Sequence, residues 1–206
     1  MNVTLSRRTP LLQRVSRVLA GDPAITSVGY WDGPSDTDVI AAYADDEAAI
    51  DAPRFVVTSD DHLDSPGLIS CNPQGLAGAL ARVADGTLGH LSWAKPGASR
   101  GDQPVLFPDP VRLRYGSVLT SELTVAPAGS AVAAIVVDIT TKQGPIRYAV
   151  VDDAEFLSAV CWAAGVIAAG SVLESGQRLT PTEVAGEYVQ ACQDAGIVFA
   201  RLEASA

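Results

Sequence analysis

Acidic side chains set close together are the first residues in this chain that could do chemistry. Ser59-Asp60-Asp61-His62-Leu63-Asp64-Ser65 follows an apolar run, Arg54 to Thr58, that reads as a strand. Carboxylates and an imidazole at a strand end are the groups that hold a divalent cation or move a proton. The same residues suit a solvated turn, since Asp and Ser hydrogen-bond to their own backbone. A second pair, Asp36 and Asp38, enters the apolar Val39-Ile40. On a strand, residues two apart share a face about 7 Å from each other, a spacing suited to two-metal phosphoryl chemistry. Trp31 precedes them in the loop Trp31-Asp32-Gly33-Pro34-Ser35. An indole there can anchor a partner or close over the core.

Ser35-Asp36-Thr37-Asp38 resembles the SDxD element of the nucleotidyltransferase superfamily, within residues 29–45. The resemblance implies a metal-dependent transfer using Asp36 and Asp38, with one further carboxylate from Asp60, Asp61 or Asp64. The family carries Gly-Ser upstream of its acids; Gly29-Tyr30 stands here instead, so the hydroxyl that contacts phosphate is missing. Other motifs are lacking from the sequence: there is no P-loop, GxGxxG, GxSxG or HExxH. His62 and His90 are the only histidines, which excludes a His-rich metal centre. No metal ligand set and no cofactor is assigned.

Charge narrows the partners. The 206 residues carry a net charge of −10, which disfavours sequence-independent nucleic-acid binding and adsorption to anionic membranes. Residues 1–21 hold Arg7, Arg8, Arg14 and Arg17 and no acid, so the rest carries ten cations against twenty-four anions. That basic segment reads as a helix with solvated arginines, or as an arm that touches an acidic partner. Cys71, Cys161 and Cys192 lack a CxxC pairing, which points to a reducing cytoplasm. No signal-type apolar run opens the chain, and Phe156 to Leu173, rich in Ala and Gly, reads as a buried helix rather than a membrane span. Scarce Lys (Lys95 and Lys142) beside abundant Ala, Val and Asp suggests a bacterial source.

The elements that must position these groups are marked chiefly by helix starts. Thr9-Pro10, Asn72-Pro73 and Thr180-Pro181 each place a capping side chain before a first-turn proline. Thr180 with Glu183, and Asp152 with Glu155, have capping-box spacing. The spacing predicts helices over 10–20, 73–85, 153–173 and 181–195. Strands are expected at 25–30, 38–44, 54–58, 68–71, 111–116, 118–126, 131–140, 145–151 and 197–202. Lys142-Gln143-Gly144 reads as a hairpin turn. Asp138, between Val137 and Ile139, should face outward.

Consecutive strands favour an α+β fold with mostly antiparallel sheet and about four helices. Prolines at 96, 104, 108 and 110 suggest a linker at 96–110 between an N-terminal subdomain, 1–95, and a C-terminal one, 111–206, conceivably similar to each other. The segment from Leu179-Thr180-Pro181 through Gly196 is loosely similar to the C-termini of small bacterial immunity proteins. The sequence thus favours a non-enzymatic, cytoplasmic protein-interaction protein of immunity, regulatory or phage-assembly type. It would bind a basic protein through an acidic surface, with Trp31, Asp36, Asp38, Asp60, Asp61, His62 and Asp64 as contacts and self-association as an alternative. The competing expectation is the metal-dependent phosphoryl-transfer enzyme.

Overall fold

The computed structural model describes residues 1–33, 36–43, 45–46, 55–58, 67–69, 73–94, 104–106, 117–119, 132–173 and 178–202. Its first elements are β1 (Asn2–Leu5), α1 (Pro10–Leu19), β2 (Ser27–Tyr30), β3 (Val39–Ala42), β4 (Phe55–Thr58), β5 (Gly67–Ile69) and α2 (Pro73–Val83). There follow β6 (Gly86–Ala94), β7 (Pro104–Leu106), β8 (Ser117–Leu119), β9 (Val132–Thr141) and β10 (Gly144–Asp153). The last are α3 (Ala154–Ala169), β11 (Arg178–Leu179), α4 (Ala185–Asp194) and β12 (Ala200–Leu202). Four helices and both sheet types among the described residues make the fold mixed α and β. No helix among the described residues is long and apolar enough to cross a membrane.

The chain divides into two compact units, one of Met1–Leu80 with Ser158–Ala195 and the other of Ala81–Leu157 with Gly196–Ala206. The units therefore interleave along the sequence. The linker expected at 96–110 falls outside the described residues except for Pro104–Leu106.

The first unit is built on a six-stranded sheet in the order β11-β5-β4-β3-β1-β2, every pair parallel. The expectation of mostly antiparallel sheet is corrected here. β3 (Val-Ile-Ala-Ala) and β4 (Phe-Val-Val-Thr) are buried at every position. Such unbroken burial belongs to strands covered on both faces, the usual state of parallel sheet. Thr9 caps α1, its Oγ1 accepting the Leu12 N–H at 3.2 Å, with Pro10 behind it at the first helical position. Leu12, Val15 and Leu19 form the buried stripe of α1.

α3 is apolar nearly all round, and Trp162 within it is wholly buried. The Trp162 indole Nε1–H donates to the Val57 carbonyl of β4 at 3.1 Å, and its ring meets Tyr43 edge to face at 5.0 Å. The cap of α3 is Asp153, whose Oδ1 accepts the Phe156 N–H at 2.9 Å; the sequence had pointed to Asp152. Glu183 accepts the Thr180 N–H at 2.7 Å as the capping box requires, but the helix itself begins at Ala185, about a turn later. Cys161 and Cys192 are buried free thiols of the core.

The second unit holds an antiparallel sheet in the order β12-β10-β9-β6 and a two-strand ribbon, β7-β8. It does not repeat the parallel arrangement of the first. β9 and β10 form the expected hairpin around Lys142-Gln143, with Gly144 at φ 119°, a conformation side chains disfavour. Val137 and Ile139 face inward while Asp138 lies half-buried on the other face, as the alternation required.

Asp138 takes both guanidinium bonds of its cross-strand partner Arg147, at 2.6 and 2.8 Å. That hydrogen bonding holds the Asp138 carboxyl below its ordinary pKa against the effect of burial, and the charges of Arg147 and His90 add to it. A carboxylate whose pKa is lower folded than unfolded stabilises the fold above its unfolded pKa and loses that contribution as pH falls through the folded value. Side-chain exposures of 41% and 33% limit the pair to less than about 1 kcal/mol. Asp138→Asn is therefore expected to lower stability slightly at pH 7 in urea unfolding. The difference from wild type should vanish in strongly acid solution.

Candidate functional site

In an open parallel sheet, ligands bind outside the carboxyl ends of the strands where the strand order reverses. Here the order reverses at β1: the chain steps outward from β1 to β2, then returns to place β3 on the other side of β1. Three strand ends bring their following residues to this edge: Ser6-Arg7-Arg8-Thr9 after β1, Tyr30-Trp31 at the end of β2, and Tyr43, Asp45 and Asp46 after β3. Backbone bonds fix their heights. Trp31 N–H donates to the Leu5 carbonyl at 2.8 Å, and Ser6 N–H to the Ala41 carbonyl at 2.9 Å.

The side chains at this edge form two groups. In the first, Arg7 pairs with Asp45 and with Asp46 (Nε to Oδ1, 3.2 Å) and lies over the Tyr43 ring at 4.4 Å. Asp46 also accepts the Ser6 hydroxyl and the Tyr43 N–H, and the Tyr43 hydroxyl meets Thr9 Oγ1 at 2.9 Å. This group sets two carboxylates against one guanidinium and is locked by its own contacts. In the second, Arg8 lies over the Tyr30 ring at 4.7 Å and has no carboxylate partner among the described residues. A guanidinium drawn to a ring face by cation–π attraction still has N–H donors for an incoming anion.

The start of α1 does not form a backbone cradle. Pro10 lacks an N–H, while Leu12 and Gln13 N–H already donate to Thr9. Ser6 to Thr9 includes no glycine, so side chains occupy the space that a Gly-rich turn would leave open.

Two of the residues singled out by sequence lie at the opposite end of the sheet. Asp36 and Asp38 precede β3 and so stand at the amino ends of the strands, away from the ligand-binding edge. Asp36 is exposed, whereas Asp38 Oδ2 accepts the Asn2 N–H at 2.7 Å and ties the start of β1. Asp60, Asp61, His62 and Asp64 lie outside the described residues. Among the described residues no group of three His, Cys, Asp or Glu could hold a metal. Trp31 reaches the carboxyl edge, half-buried. Arg8, Tyr30 and Tyr43 were not foreseen as site residues. A signal existed in Val3-Thr4-Leu5 followed by the capped start Thr9-Pro10, a strand-turn-helix spacing with two arginines in the turn.

The first unit thus joins parallel sheet with a polar constellation at its switch point. No family model matches the chain, and no curated protein does. Among solved structures it is similar to biliverdin reductase from Synechocystis sp. PCC 6803, crystallised with biliverdin and NADP+. The identity is 10% over 94% of this chain and 98% of that one, with a TM-score of 0.34. The expectation from composition, a non-enzymatic interaction protein working through an acidic face, is not what this comparison returns: the similar protein is a reductase. At that TM-score the likeness lends this chain neither the reductase's activity nor its ligands. Net charge misled because it says nothing of where charge lies.

Proposed function

We propose that the first unit is a small-molecule-binding module that takes an anionic ligand with a planar ring system at the β1/β3 switch point. The observation that carries this reading is Arg8, held over the Tyr30 ring at the carboxyl edge and without a carboxylate partner among the described residues. Arg8 would supply the bidentate contact to a phosphate or carboxylate. Trp31, half-buried and next after Tyr30 in sequence, would offer a ring face to the planar part. A dinucleotide such as the NADP+ of the reductase is not favoured, because the pyrophosphate cradle at the start of α1 is not built.

The test is thermal unfolding with three probes: AMP, adenosine and inorganic phosphate. AMP is expected to raise Tm, since a ligand of the native state stabilises it by RT ln(1 + [L]/Kd). Phosphate should do so less, and adenosine least. Arg8→Gln, an exposed substitution, should weaken AMP by roughly tenfold, the loss of one charge-assisted contact. An AMP shift unchanged in Arg8→Gln, or no shift with either anion, would overturn the reading.

A further inference from the structure

We infer that a cavity at the other end of α1 binds an organic ammonium ion with a short apolar body. It lies within the first unit where the C-terminal turns of α1 and α4 meet the last turn of α3. Its volume of about 410 Å³ is in the range of small-molecule sites, roughly 300–1,000 Å³. The ten residues of α1 put it about 15 Å along the helix from Arg8 and Thr9, so it is separate from the switch-point edge.

The lining decides the ligand. Val18, Ile167, Ala191 and Ala195 make an apolar wall, and the charged lining groups are Asp22 and Asp194, with no cation among the lining residues. Three helices end here, and helix C-termini carry partial negative charge. Arg17 offsets it in the last turn of α1, but no basic residue occupies the last turn of α3 or α4. Asp22 Oδ1 accepts the Ala24 N–H at 2.8 Å, and Asp194 Oδ1 accepts from Gln190 Nε2 at 2.9 Å. Each carboxylate is thus held in place, and its Oδ2 has no partner among the described residues. Two carboxylates and an apolar wall are too few oxygens for a hard metal ion, which takes six or more. They fit an ammonium group whose hydrocarbon portion leaves water for the wall.

Titration calorimetry with n-hexylamine, hexan-1-ol and hexanoate separates charge from apolar burial. Hexylammonium is expected to bind, the alcohol roughly tenfold more weakly, and hexanoate not measurably. The double variant Asp22→Asn/Asp194→Asn keeps an amide oxygen for Ala24 and for Gln190, so it should fold. It should bind hexylamine only as the wild type binds the alcohol. Arg8→Gln should leave hexylamine binding unchanged, which separates this site from the proposed anion site. Equal binding of hexanoate and hexylamine, wild-type affinity in the double variant, or no binding of hexylamine would overturn the assignment.

Discussion

Trp162→Ala is expected to lower the free energy of unfolding by roughly 3–5 kcal/mol, measured by urea denaturation. The indole has no exposed surface, so truncation removes its whole buried area and leaves a cavity among residues already packed. It also removes the Nε1 donor to the Val57 carbonyl and the edge-to-face contact with Tyr43. The Tyr43 contact makes the effect more than one of core volume. Tyr43 lies under Arg7 and against Thr9, so its packing against α3 sets the height of the switch-point edge. Trp162→Phe keeps an aromatic ring and loses the donor. It should cost far less, about 1 kcal/mol for the hydrogen bond with a smaller packing loss. A cost for Trp162→Ala no greater than that of Trp162→Phe would show that α3 is not packed as described.

Helices were the legible part of this sequence because their ends are marked by local chemistry. Thr9-Pro10 gives a cap and a first-turn proline within two residues, and the buried character of α3 follows from its lack of a polar stripe. Sheet direction was not legible, and the reason lies in one strand. β1 is four residues long, Asn2–Leu5, and without it α1 has no strand before it. The remaining strands then read as a consecutive series, which favours antiparallel pairing. Restoring β1 makes β1-α1-β2 a crossover unit with parallel strands, and the rest of the sheet follows its direction. The same omission hid which end of the sheet the acids occupy. Asp36 and Asp38 flank a strand, and only strand direction tells which end of it faces a ligand; here they stand at the amino end. Arg7 and Arg8 looked like a solvated charge run because nothing local reveals that a strand precedes them.

Asp46→Ala is expected to cost about 2–3 kcal/mol, because the carboxylate serves three donors at once. It accepts the Ser6 hydroxyl, the Tyr43 N–H and the Arg7 guanidinium, and its own side chain is only 16% exposed. Ser6 is buried, so removing its acceptor leaves a hydroxyl without compensation, the expensive half of a broken hydrogen bond. Arg7 keeps Asp45, an exposed partner whose bond water competes for, so that pair alone adds little. Asp46→Asn retains one oxygen, enough for Ser6 or Tyr43, and should lose less than Asp46→Ala. Glu187→Ala on the exposed face of α4 serves as the comparison and should stay within about 0.5 kcal/mol of wild type. The Asp46 variants also report on the edge itself. With Tyr43 and Arg7 no longer tied together, the ends of β1 and β3 should loosen, and AMP should bind more weakly to Asp46→Ala than to Asp46→Asn. An Asp46→Ala protein as stable as the Glu187→Ala comparison would mean that the Ser6, Arg7 and Tyr43 contacts do not hold the β1/β3 edge.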